Sequence, residues 1–205
     1  MKNNPFEVLP DTVEIGGASV KINSDFRVGV SIETEMLQEH PDVEGLLKLF
    51  YSEEIPSPIE EAAEQMIRFY SHADDENEDG KEEKKAAVPS RKRLYDFSQD
   101  ADALLSSFWQ AYDIDLERDE IHWWKFRRLM FGLPADTPFM QRVHIRSVDL
   151  SKVDKSQKSY YRRMKKIYAL KQNVHREKMT AAEKEEVMKE KVRRRFEEAQ
   201  KSEKN

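Results

Sequence analysis

The residues of this chain that could do chemistry are five histidines, His40, His72, His122, His144 and His175, set among abundant carboxylates. Catalysis by an imidazole needs a nucleophile or a second orienting group within reach. No histidine pairs with another at helical spacing, and no HExxH, phosphate loop, dinucleotide fingerprint or nucleophile elbow occurs. With only 6 glycines, a glycine-rich phosphate cradle has no material. There are 0 cysteines, which removes thiolate metal sites, disulfides and a cysteine nucleophile. Carboxylate pairs such as Asp100 with Asp102 or Glu53 with Glu54 carry little specificity on an acidic surface. His122, beside Trp123 and Trp124, is the histidine in an aromatic setting, and there it reads as a structural imidazole. The acidic run from Asp74 to Asp79 fails as a calcium loop: counted from Asp74, Gly80 falls one place late and Lys85 stands where the closing glutamate belongs. No enzyme, cofactor or metal is expected.

The elements that would position these residues are mostly helices. The stretch from Tyr95 to Leu133 holds all 3 tryptophans and the densest apolar patterns. Phe97, Ala101, Leu104, Leu105, Phe108 and Tyr112 suit one helix face. Asp96 is its predicted cap, with Gln99 closing a capping box. A second helix is predicted from about Asp119, with Ile121, Trp123, Trp124, Phe126, Leu129, Met130 and Phe131 too numerous for one stripe. Gly132 suits a left-handed cap and Pro134 ends the run. The two halves read as an antiparallel helix pair joined by 113–118.

Upstream, Thr12 to Ile15 and Ser19 to Ile22 alternate around Gly16-Gly17, a hairpin signal. Phe26 to Leu37 fits strand or helix, and Ser24 and Asp25 as caps favour helix. A short helix follows Asp42. Ser57-Pro58-Ile59-Glu60 reads as a capping box with proline in the first helical position, ahead of a one-faced helix through Tyr70. Downstream, Thr137-Pro138 opens a helix with Phe139, Met140 and Val143, and Ser147 to Leu150 reads as a turn. Asp154 with Gln157 caps a helix whose Tyr160, Tyr161, Met164, Ile167 and Tyr168 are expected to dock on the 95–133 pair. The predicted class is mainly α: a small helical domain with a short N-terminal β-hairpin and an extended charged C-terminal helix. The predicted organisation is an acidic part over 1–72, a charged flexible linker over 73–94, a helical core over 95–170 and a projecting or partly disordered helix over 171–205.

Charged residues make up 37% of the chain, well above the usual quarter. Their distribution matters more than the net −5. Residues 1–90 carry 21 acidic and 8 basic side chains, while 91–205 carry 19 and 27. Such opposed poles can attract within the molecule, drive head-to-tail association or meet different partners. The start lacks the basic and apolar runs of a signal peptide, and no stretch approaches a membrane span. A soluble, unprocessed protein of a reducing cytoplasm is expected. The basic, tyrosine-bearing helix from Ser156 to Leu170 and Arg193-Arg194-Arg195 raise nucleic-acid binding. Two facts weaken it: the tyrosines share their face with Met164 and Ile167, and glutamates interleave the distal arginines.

Several separated strings carry a resemblance. Asn4-Pro5-Phe6-Glu7-Val8-Leu9-Pro10, Asn23-Ser24-Asp25-Phe26-Arg27, Tyr95-Asp96-Phe97 with Asp100-Ala101-Asp102, Ile121 to Phe126, and Arg146 to Ser151 occur in this order. Together they resemble the bacteriophage gene-fifteen-product family of siphophages and prophages of Gram-positive hosts, over Asn4 to about Leu170. The resemblance implies a tail assembly chaperone, with no catalytic residues to transfer. It would bind the tape measure protein in the host bacterial cytoplasm, with the tail tube protein, a companion tail assembly chaperone or further copies of itself as additional partners. It would be absent from the mature virion. No membrane is implied. The partner-binding candidates are Phe108, Trp109, Trp123, Trp124 and Phe131, for each of which core packing is the competing use. The alternative is a structural tail or connector subunit that stays in the virion.

Overall fold

Glycine sets the first turn. In a computed structural model of the chain, Gly16 and Gly17 have φ of 57° and 78°, the positive values that a two-residue hairpin loop requires at both positions. They join β1 (Thr12–Ile15) to β2 (Ala18–Lys21) antiparallel, with Ile15 opposite Ala18 and Thr12 opposite Lys21. The structure describes residues 8–38, 41–52, 54–75 and 93–171, with Lys189 and Arg193 as isolated helical positions. Most of the linker and of the charged C-terminal helix predicted above lies outside the described residues.

Seven helices follow among the described residues: α1 (Phe26–Glu35), α2 (Val43–Phe50), α3 (Ile59–Asp75), α4 (Phe97–Tyr112), α5 (Trp123–Phe131), α6 (Pro138–Ser147) and α7 (Lys155–Ile167). The class is mainly α with one short hairpin, as the periodicity predicted. Caps account for most starts. Asp25 accepts from Arg27 N at 2.9 Å, Asp42 from Gly45 N at 3.0 Å and Asp96 from Gln99 N at 2.9 Å. At α3 the predicted box does not form as drawn. The Pro58 carbonyl accepts the first helical bond, from Ala62, so this proline is the boundary residue and offers no side-chain oxygen.

The chain gathers into two compact units. The first contains the described part of 1–87 together with Glu120–Arg128, and the second contains that of 88–119 and 129–178. In the first unit α3 lies against β1 and α2, and α2 lies against α1. Its core holds Ile15, Phe26, Ile32, Leu47, Phe50, Met66, Ile67, Trp123 and Phe126. In the second, α6 packs on α4 and α7 on α6, around Phe97, Leu104, Phe108, Met130, Phe139 and Ile145.

Three elements differ from the sequence reading. α5 starts at Trp123 rather than near Asp119, because Ile121 and His122 run extended against Asp25. Phe26 N donates to Ile121 O at 2.8 Å and Trp123 N to Ser24 O at 2.7 Å. Within the second unit α4 packs chiefly on α6 rather than on the predicted partner helix. The left-handed cap stands at Asp113, φ 55°, where Ile114 N closes on Phe108 O, and not at Gly132. Finally, α7 docks on α6 without burying any of its own residues.

Candidate partner-binding surface

The five candidate aromatics fall into different environments. Trp123 opens α5 and is 1% exposed. Its ring stacks on Tyr70 at 5.5 Å and Phe126 at 5.9 Å, and its indole N–H donates to Tyr70 O at 3.3 Å. Gly29 on α1 makes this possible, since a Cβ there would overlap the Trp123 ring. Phe108 on α4 is 0% exposed. Both are core residues of their units. Trp124 is half-buried: it stacks on Phe69 at 5.1 Å and donates its indole N–H to Phe69 O at 2.8 Å. Trp109 and Phe131 are instead 58% and 47% exposed.

These two exposed rings belong to the second unit. Tyr112, three residues after Trp109 on α4, donates its hydroxyl to Leu129 O at 2.9 Å, two residues before Phe131. The backbone segments bearing Trp109 and Phe131 are thereby fastened to one another. Burial raises the pKa of the Tyr112 hydroxyl, which keeps it a donor in this bond.

A buried charge cluster holds the rest of this unit. Asp100, 0% exposed, takes a bidentate pair from Arg146 at 2.5 and 2.8 Å and a longer bond from Arg142 at 3.3 Å. Arg142 forks onward to Asp102 at 3.0 and 2.7 Å. Burial alone would push the Asp100 carboxyl up; the Arg146 bonds, the Asp96 backbone N–H and Arg142 outweigh it and hold the carboxyl below its ordinary range. That N–H, 3.0 Å from Asp100 Oδ2, is the reciprocal leg of the capping box, made one residue later than Gln99. Arg146 also donates to Leu94 O and Tyr168 O, tying the start of α4 to the end of α7. Ser107 adds a second fastening. Its Oγ donates to Ala103 O at 2.6 Å and accepts Phe139 N at 2.9 Å, capping α6 in place of Thr137, whose hydroxyl donates to Pro134 O.

His122 has no free ring nitrogen. Nδ1 accepts Trp124 N–H at 3.1 Å, which makes Nε2 the protonated nitrogen donating to Pro10 O at 3.0 Å. Burial lowers its pKa below the ordinary 6.5, against the opposing pull of the Pro10 carbonyl. The imidazole is thus a neutral strut between the N-terminal segment and α5. Among the described residues no three or more His, Asp or Glu side chains gather into a metal-ligating group, and no helix is long and apolar enough to cross a membrane.

The sequence reading missed the exposed row on α7. Tyr160 is 50% and Ile167 61% exposed, although their spacing marks a face that a neighbour should cover. The signal was present in the lysines and arginines covering the other sides of this helix, which favour water over a second packing partner.

Neither the curated proteins nor the solved structures contain a match to this chain. A family match spans residues 6–170, reaching from just before the Pro10 carbonyl that His122 holds to just beyond Tyr168, where Arg146 closes the second unit. The strings that carried the resemblance lie within or at the edge of that span, and the chain belongs to the family of the bacteriophage Gp15 protein.

Proposed function

We propose that this phage-family protein is a non-enzymatic tail assembly chaperone that binds the tape measure protein in the host cytoplasm and leaves before the particle is complete. The observation that carries the reading is the exposure of Trp109 and Phe131 on mutually fastened segments of a unit whose own core is already filled. Large aromatics half exposed on helices suit the anchor role by which one protein covers the apolar stripe of another's helix. A role resting on surface anchors also suits a chain whose most enzyme-like histidine, His122, has both nitrogens engaged in structural bonds. The tail tube protein and a companion chaperone are the further partners that the family role carries.

Co-expression with the tape measure protein tests the reading. A soluble, co-purifying complex is expected, and the double variant Trp109→Ser/Phe131→Ser, whose sites lie outside the core, is expected to fold and lose it. A client that stays insoluble beside the wild-type chain would overturn the assignment. Mass spectrometry of purified particles separates the alternative: stoichiometric presence in the virion would make this a tail or connector subunit.

A further inference from the structure

Helix α7 concentrates positive charge more than any other described element. Between Lys155 and Ile167 it carries Lys155, Lys158, Arg162, Arg163, Lys165 and Lys166 and no acidic residue. Lys165 donates to Arg146 O at 2.7 Å. The remaining five cations have no carboxylate partner among the described residues. Tyr160, Met164 and Ile167 recur at spacings of four and three on the same helix, so an apolar row runs beside the cations, exposed at both ends. A partner for this face must bring carboxylates and apolar surface together. Nucleic acid would satisfy the cations but leave Met164 and Ile167 without a use.

The chain itself carries such a surface. Within 1–87 and 120–128 of the first unit, the described residues hold 14 acidic and 7 basic side chains. On α3, Ile59 is 39% exposed and is followed by Glu60 and Glu64, both exposed and without a cationic partner among the described residues. On α2, which packs against α3, Leu49 is 42% exposed. We propose that α7 of one copy docks on the acidic α2 and α3 surface of a second copy, giving head-to-tail self-association. The two surfaces differ, so the contact is heterologous and each added copy leaves one of each kind open until a ring closes. A 13-residue helix is about 20 Å long, which limits the contact to a small, charge-dependent one.

Analytical ultracentrifugation of the full chain, over a concentration series at low and high salt, tests this. The average mass is expected to climb above 24.2 kDa with concentration at low salt and to return to it at high salt. Arg162→Glu/Lys166→Glu and Glu60→Lys/Glu64→Lys change exposed positions only, and circular dichroism checks that both variants keep the wild-type fold. Each alone should remain monomeric, and an equimolar mixture should regain at least twice the monomer mass, because an intact or charge-swapped pair of surfaces is restored. A wild-type chain that stays monomeric at low salt, variants that associate as the wild type does, or a mixture that stays monomeric would each overturn the proposal. So would a monomeric wild type that binds a labelled single-stranded oligonucleotide through Arg162 and Lys166, which would assign the face to nucleic acid.

Discussion

Asp100 is a buried ionisable group and His122 a part-buried one, and acid reaches them in separate ranges. The carboxyl of Asp100 is held below its ordinary 3.8, so its stabilising contribution is complete above that value and is lost as pH falls through the lowered one. The His122 imidazole is also lowered, from 6.5, but here the favoured folded form is the neutral one. The unfolded chain takes up the proton first, so stability is complete above about pH 6.5 and declines as pH falls from there towards the folded-state value. A pH series of urea midpoints should therefore show a first loss just below neutrality, and His122→Gln should flatten that step while leaving the carboxylate step. Asp100→Asn tests the other cluster at neutral pH. It strands the buried Arg146 guanidinium and should cost about 3–5 kcal/mol in urea unfolding. His122 already read as a structural imidazole, whereas Asp100 was not legible as a core residue in the sequence: an aspartate two places from another on an acidic helix looks like solvent-facing charge until the arginines four residues apart on α6 are brought over it.

At the scale of elements, side chains of one helix set the start of another. Ser107→Ala removes the acceptor of Phe139 N at a fully buried site, and the second unit should lose about 1–2 kcal/mol by the same measurement. Gly29→Ala is a tighter test of α1 against α5. The added methyl overlaps the Trp123 ring, a backbone-to-core clash that should cost about 1–3 kcal/mol and shift the near-ultraviolet circular dichroism of the tryptophans. Periodicity and capping residues predicted the hairpin and the starts of α1, α2 and α4 closely, because each is set by residues within a turn of itself. The start of α5 was illegible for the opposite reason. Ile121 and Trp123 have helical neighbours in sequence, but the Ile121 carbonyl and the Trp123 N–H bond to Phe26 and Ser24, about a hundred residues earlier. The candidate surface was legible in kind and not in detail: aromatic density marked α4 and α5, but which rings face water depended on which helix each one met.

On the scale of the whole molecule, the first compact unit is discontinuous in sequence. Its central tryptophan arrives with Glu120–Arg128, after the chain has passed through α4. A fragment ending at residue 90 retains β1 to α3 yet lacks Trp123 and Phe126, the rings on which Phe26 and Tyr70 stack. Such a fragment should bind a hydrophobic dye and unfold without a cooperative transition, whereas a fragment carried through Phe131 should recover one. A cooperative transition in the shorter fragment would show that the first unit closes without its late segment.

The bridge between Asp25 and His122 has a consequence in time as well as in space. A ribosome makes the chain from its first residue, so the apolar faces of α1 and α3 emerge long before the segment that covers them. Throughout that interval the newest protein in the cell presents Phe26, Phe69 and Tyr70 uncovered, and it is the arrival of residues 121–126, not the completion of the N-terminal third, that sets the moment at which this part of the molecule becomes safe from aggregation.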